Sequence, residues 1–131
     1  MSNPPPIRVL LVDDEPTLLD VLSQYLSLAG FEVITANDGA EALKLVVTTK
    51  PHIVVLDIMM PHINGWEACE RIKQDPRTCG IPILFLTAVN QAQDHARAKQ
   101  LCVQGYVTKP CEPAHLVEVI RQILHPTIPN V

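Results

Sequence analysis

Five short aliphatic or β-branched runs recur along this chain: Arg8 to Val12, Glu32 to Ala36, Ile53 to Asp57, Ile83 to Thr87 and Tyr106 to Thr108. Runs of this length read as β-strands, and each of the first four is followed by a stretch long enough for a helix. An apolar stripe at Leu18, Leu22, Tyr25, Leu26 and Ala29, closed by Gly30, predicts the first helix. Leu116, Val119, Ile120, Ile123 and Leu124 follow i, i+3, i+4, i+7, i+8 spacing and predict the last. Asp38 to Val47, Gly65 to Gln74 and Gln91 to Leu101 have helical length. The third of these is mostly alanine and polar residues, so it is expected to be the most loosely packed.

Strands alternating with helices at this spacing require right-handed crossovers, a parallel sheet and cover on both faces. The expectation is an α/β, doubly wound sandwich. Val9 to Val12 and Ile53 to Leu56 are continuous apolar runs, as central strands should be, whereas the run at Tyr106 has the look of an edge. Pro4, Pro5 and Pro6 cannot join a helix or a sheet interior. One domain is therefore expected from residue 7 to 124, with a disordered segment at 1–6 and a tail or linker start at 125–131.

A net charge of −4 gives no diffuse positive field, so direct binding to nucleic acid or to an anionic membrane is not expected. Cys69, Cys79, Cys102 and Cys111 show no CxxC spacing, and the five histidines form no HxxxH or HExxH pair. Reduced thiols in a cytoplasmic protein fit this pattern, and the run Ile7 to Val12 is too short for a membrane span or a signal segment.

In doubly wound sheets ligands sit beyond the carboxyl ends of the strands. Asp13 and Asp14 follow the first strand, Asp57 ends the third, Thr87 ends the fourth and Lys109 follows the fifth. Carboxylates gathered at one edge repel one another unless a cation neutralises them. Mg²⁺ takes carboxylate oxygens and bridges to phosphate, so acids beside a lysine and a hydroxyl point to phosphoryl chemistry. Singly, each residue has a plainer use: Asp13 or Asp14 as a helix cap, Thr87 as a strand residue, Tyr106 as a core aromatic. Trp66 reads as packing.

The order DD, then DIMMPHINGWE, then LTA, then YVTKP resembles the receiver domains of bacterial response regulators, over Ile7 to Leu124. The resemblance implies a five-stranded sheet of flavodoxin-like order 2-1-3-4-5. It implies that Asp57 is the phosphoacceptor, taking its group from a phosphohistidine on a histidine kinase or phosphotransfer protein. Mg²⁺ would be held by Asp13, Asp14, Asp57 and the Met59 carbonyl. Lys109 would pair first with Asp57 and then with a phosphoryl oxygen, while Thr87 and the Ala88 N–H take other oxygens. A cis bond is expected between Lys109 and Pro110. Thr87 and Tyr106 would act as the switch, changing a face of the fourth helix, fifth strand and fifth helix that carries His95, Cys102, Tyr106 and His115. A downstream protein would read that face, and a phosphorylation-dependent dimer is compatible with it.

On this reading the chain is not an enzyme in the ordinary sense; it catalyses its own phosphorylation and a slow autodephosphorylation. Slowness is expected because Met59 and Val89, which flank the site, are apolar and cannot orient a water. Two departures from the family pattern stand out. Cys102 occupies a position usually held by glycine, so the loop into the fifth strand is expected to differ, and Cys111 stands where an aromatic often follows Lys-Pro. The alternative function is a pseudo-receiver that binds proteins without being phosphorylated, but such a chain would be expected to lack an acid or the lysine. A dehalogenase-type phosphatase needs a DxD at the nucleophile, and a flavodoxin needs a phosphate-cradling first loop. Neither is present. No room remains after Leu124 for a helix-turn-helix, so the expectation is a stand-alone switch or a piece of a longer regulator.

Overall fold

The computed structural model describes residues 5–125; the expectations for residues 1–4 and 126–131 lie outside the described residues. Ten elements alternate: β1 (Arg8–Val12), α1 (Pro16–Leu28), β2 (Glu32–Ala36), α2 (Gly39–Thr49), β3 (Ile53–Leu56), α3 (Gly65–Gln74), β4 (Ile83–Thr87), α4 (Ala92–Gln100), β5 (Gly105–Thr108) and α5 (Pro113–Leu124). All strand pairs are parallel, in the order β2-β1-β3-β4-β5. The order reverses between β1 and β3, and this places the ends of β1, β3 and β4 side by side at one edge.

The two-residue period of the strands splits the core into two layers. Leu10, Val12, Val54, Leu56, Ile83 and Phe85 face α2, α3 and α4. Val9, Leu11, Ile53, Val55, Leu84 and Leu86 face α1 and α5. Burying one such side chain fully contributes about 1.5–3 kcal/mol. The exposed ion pairs Arg8–Glu32 at 3.2 Å and Arg71–Glu67 at 2.9 Å contribute at most about 1 kcal/mol each. Apolar burial therefore decides the fold, and the ion pairs trim its surface.

Helix ends follow local chemistry. Asn64 and Asp38 cap α3 and α2 through their side-chain oxygens, accepting from Glu67 N at 3.0 Å and Glu41 N at 2.7 Å. Pro16 and Pro113 stand at the starts of α1 and α5, where a missing N–H costs nothing. α1 departs from its expected stripe. Leu19, Leu22 and Leu26 are buried, while Tyr25 is 41% exposed and Leu18 is half-buried. The helix carries more apolar residues than one face can bury, and docking on the sheet selects among them. α5 likewise buries Val117 with Leu116 and Ile120, leaving Val119, Ile123 and Leu124 half-buried. α4 buries only Ala98, in keeping with its expected loose packing.

Candidate functional site

Strands β1 and β3 end in carboxylates because the sheet stops where the apolar runs do. Asp13 N donates to the Ala36 carbonyl at 3.1 Å and Asp57 N to the Val12 carbonyl at 3.1 Å, so both backbones continue the ladder one residue beyond the strand. Their side chains are nearly fully buried, at 4% and 6% exposure, whereas Asp14 is exposed. Carboxylate oxygens of Asp13, Asp14 and Asp57 all lie within 4.8 Å of one another. Oxygen donors so closely spaced suit a small hard cation. Asp13 Oδ1 accepts from Glu15 N at 2.9 Å and Asp57 Oδ1 from Met59 N at 3.3 Å, which fixes both carboxylates.

The Lys109 ammonium reaches this group from the end of β5. It donates to Asp13 Oδ2 at 2.6 Å and to Asp57 Oδ2 at 3.1 Å. The expected pairing with Asp57 is thus shared, with Asp13 the nearer partner. Bridging both oxygens lets one cation relieve two buried negative charges. Burial lowers the affinity of Lys109 for its proton, but the hydrogen bond to Asp13 and the charges of Asp57 and Asp13 outweigh it, and its pKa is raised. The ammonium is therefore fixed as a cation. The peptide bond between Lys109 and Pro110 is cis.

Thr87 is fully buried, and its hydroxyl accepts from Val89 N at 3.3 Å. Ala88 is exposed in the loop between β4 and α4. It shares with Lys109 the wall of an apolar cleft of about 380 Å³, completed by Glu15, Leu18, Leu22, Leu86, Pro110 and Cys111. Met59 is 65% exposed beside Asp57. Tyr106 is half-buried, with its hydroxyl donating to the Val89 carbonyl and its ring edge-on to Phe85 at 6.0 Å. Burial first, then the charges of Asp94 and Asp57, push the Tyr106 hydroxyl above its ordinary pKa, which keeps it a donor. Trp66 is packing, as expected: it is buried and edge-on to Phe85 at 5.1 Å, with Arg97 4.5 Å over its ring.

Several contributors escaped the sequence reading. A Cβ on Gly65 would lie 2.3 Å from the Asp57 carbonyl oxygen and 2.6 Å from Ile58 Cα, so only glycine lets α3 begin against the backbone that follows β3. Asn64 followed three residues later by Glu67 is a helix-start pattern that could have flagged this turn. His95 was expected on the α4 face, but its contact with Asn90 at 2.7 Å left no sequence signal. The loop into β5 does hold a conformation that glycine favours, for Cys102 stands at φ 59°. Gln104 then ties that loop to β4, its side chain accepting from Ile83 N at 2.8 Å and its own N–H donating to the Ile83 carbonyl at 2.9 Å.

Residues 9–121 match the family described as the response regulator receiver domain. The chain belongs to that family, the receiver domain of two-component response regulators. It is 36% identical over 120 residues to the DNA-binding dual master transcriptional regulator RpaA of Synechocystis sp., covering 92% of this chain and 50% of the relative. To the alkaline phosphatase synthesis transcriptional regulatory protein PhoP of Bacillus subtilis it is 38% identical over 117 residues, covering 89% and 48%. The chain thus spans about half the length of the curated relatives it matches. Its fold superposes on the chemotaxis protein CheY4 of Vibrio cholerae with a TM-score of 0.87 at 29% identity, covering 92% of this chain and 100% of that one. It superposes on the non-phosphorylated HemR receiver domain of Leptospira biflexa with a TM-score of 0.84 at 29% identity, covering 95% and 99%. Receiver domains of this family work with kinases and downstream effectors and generally bind Mg²⁺ at an acidic site, the kind of cluster found here. Among the described residues no helix is long and apolar enough to cross a membrane.

Proposed function

We propose that this receiver accepts a phosphoryl group on Asp57 from the phosphohistidine of a histidine kinase or phosphotransfer protein. The observation that carries the reading is the buried Asp57 carboxylate, held 3.1 Å from the Lys109 ammonium, with Asp13 and Asp14 oxygens within 4.8 Å. An Asp57 oxygen attacks phosphorus, the O–P bond forms, the P–N bond breaks, and the electron pair leaves with the donor imidazole. Asp13, Asp14, Asp57 and the Met59 carbonyl would hold Mg²⁺, which when bound neutralises charge on the phosphoryl oxygens. Lys109 moves its hydrogen bond from Asp57 to a phosphoryl oxygen, and the Thr87 hydroxyl and Ala88 N–H take the others. Catalysis is confined to this self-phosphorylation and to a slow hydrolysis, in which water takes the phosphoryl group as inorganic phosphate and the Asp57 carboxylate is freed.

The drawing of Thr87 toward the phosphoryl group alters the loop that Tyr106 touches, and with it the face of α4, β5 and α5. A downstream protein, or a second copy of the chain, reads that face. The net charge of −4 supports a protein partner rather than direct nucleic-acid contact by this domain. The DNA-binding description of RpaA belongs to a protein about twice the matched length. A cytoplasmic location is supported by the transcriptional-regulator relatives and by four free cysteines.

Intact-mass spectrometry after incubation with Mg²⁺ and acetyl phosphate tests the reading. A single adduct that requires Mg²⁺, is removed by hydroxylamine and is missing in Asp57→Asn is expected; an adduct that persists in the variant would sink the assignment. Because Met59 and Val89 offer no polar group to an attacking water, the adduct should be long-lived. Decay within seconds would contradict that part.

A further inference from the structure

The loop of residues 88–91 between β4 and α4 carries the backbone that phosphoryl acceptance needs, yet it has little burial of its own. Ala88 and Asn90 are exposed and Val89 is half-buried. Contacts from outside the loop hold it instead. The Tyr106 hydroxyl donates to the Val89 carbonyl, and the Val89 N–H donates to the Thr87 hydroxyl at 3.3 Å. The Asn90 carboxamide oxygen lies 2.7 Å from His95 Nε2. His95 also lies on the Tyr106 ring, with centroids 4.1 Å apart and planes inclined by 34°. One imidazole on the first turn of α4 thus touches both the loop and the β5 aromatic. A solvated surface histidine would make neither contact.

We propose that His95 is a positioning residue for phosphoryl acceptance. By donating from Nε2 to Asn90 and stacking on Tyr106, it holds the β4–α4 loop so that the Ala88 N–H and the Thr87 hydroxyl are set for the group arriving at Asp57. This rests on the phosphoacceptor reading above and deepens it. With an oxygen opposite it, Nε2 carries the proton whether the ring is neutral or charged, so the clamp needs no change of protonation. An exposed hydrogen bond adds little to global stability. Ordering a mobile loop before transfer has an entropy cost, however, and a clamp that meets it in advance acts on the rate. Its partners are also the atoms that the switch displaces, so His95 joins the site to the α4–β5 face through a single ring.

The test measures phosphorylation of the full chain by acetyl phosphate with Mg²⁺, by intact mass, for wild type, His95→Ala, Asn90→Ala and the double variant. Both positions are exposed, and melting temperatures near wild type are expected. Each single change should lower the maximal rate constant roughly three- to tenfold, the size of one modest hydrogen bond read as a rate. The half-saturating acetyl phosphate concentration should not change. The double variant should be no slower than the singles, because the two groups act as one unit. In ¹⁵N spectra, His95 Nε2 should be protonated in wild type and lose that preference in Asn90→Ala. Unaltered rates in the singles, or losses that multiply in the double, overturn the clamp alone. A wild-type chain that takes up no phosphoryl group overturns the reading beneath it and the clamp together.

Discussion

Asp57 depends on Gly65 as much as on the strand that carries it, because the start of α3 presses against the Asp57 carbonyl. The atoms a Cβ would meet there are backbone and cannot swing aside. Gly65→Ala is therefore expected to cost about 2–3 kcal/mol, read from urea unfolding, and to displace Asp57. A neutral outcome would show that α3 can shift freely. Cys69 makes a second residue-scale prediction. Burial, opposed by Lys73 and reinforced by Glu70, raises its thiol from 9.0 to about 11. The folded chain then keeps a proton that the unfolded chain releases, so stability is full below pH 9 and falls as pH rises to about 11. Lys109, also raised, acts in the same direction: its contribution is whole below its ordinary 10.5 and is lost as pH passes its folded value. Cys69→Ala should flatten the fall of the urea midpoint between pH 9 and about 11; an equal slope in wild type and variant would count against it. The acids and the lysine were legible at this scale, since each follows an apolar run. Gly65 was not, because its role is set by what lies opposite.

The caps and stops of the helices carry measurable amounts. Asn64→Ala removes an oxygen from the α3 N-terminus and should cost about 1 kcal/mol. Just past the C-terminus of α4, Cys102 holds φ 59° while its N–H donates to the Lys99 carbonyl at 3.0 Å and the Val103 N–H to the Ala98 carbonyl at 3.3 Å. A β-carbon is unfavourable in that conformation, so Cys102→Gly should stabilise the chain by about 1 kcal/mol. Calorimetry would register this as a melting temperature roughly 4 °C higher, and a fall would refute the strain. Strand positions were legible because β-branched runs bounded by Asp, Pro and Gly have few other uses. The buried face of α1 was not. Leu18, Leu19, Leu22 and Leu26 satisfy more than one helical stripe, and only contact with β2, β1 and α5 chose Leu19 over Tyr25.

Across the whole molecule the packing is uneven. β1 and β3 lie inside the sheet with Val9, Leu10, Ile53 and Val54 fully buried, while α4 buries Ala98 alone. Amide hydrogen exchange should be slowest in β1 and β3 and fastest, among the helices, in α4. Equal protection in α4 and α3 would remove the basis for a movable output face. Such unevenness suits a switch, because an element held by few apolar contacts needs little energy to shift. By itself the sequence determined the parallel α/β order, the strand ends that carry acid, hydroxyl and lysine, and the family, since periodicity and local turn chemistry are written along the chain. The tertiary structure alone decided that Lys109 bridges Asp13 and Asp57, that Gly65 lies on the Asp57 backbone, and that His95 meets both Asn90 and Tyr106. Those are distances between separate strands and helices, and they exist only once the two apolar layers have closed on the sheet.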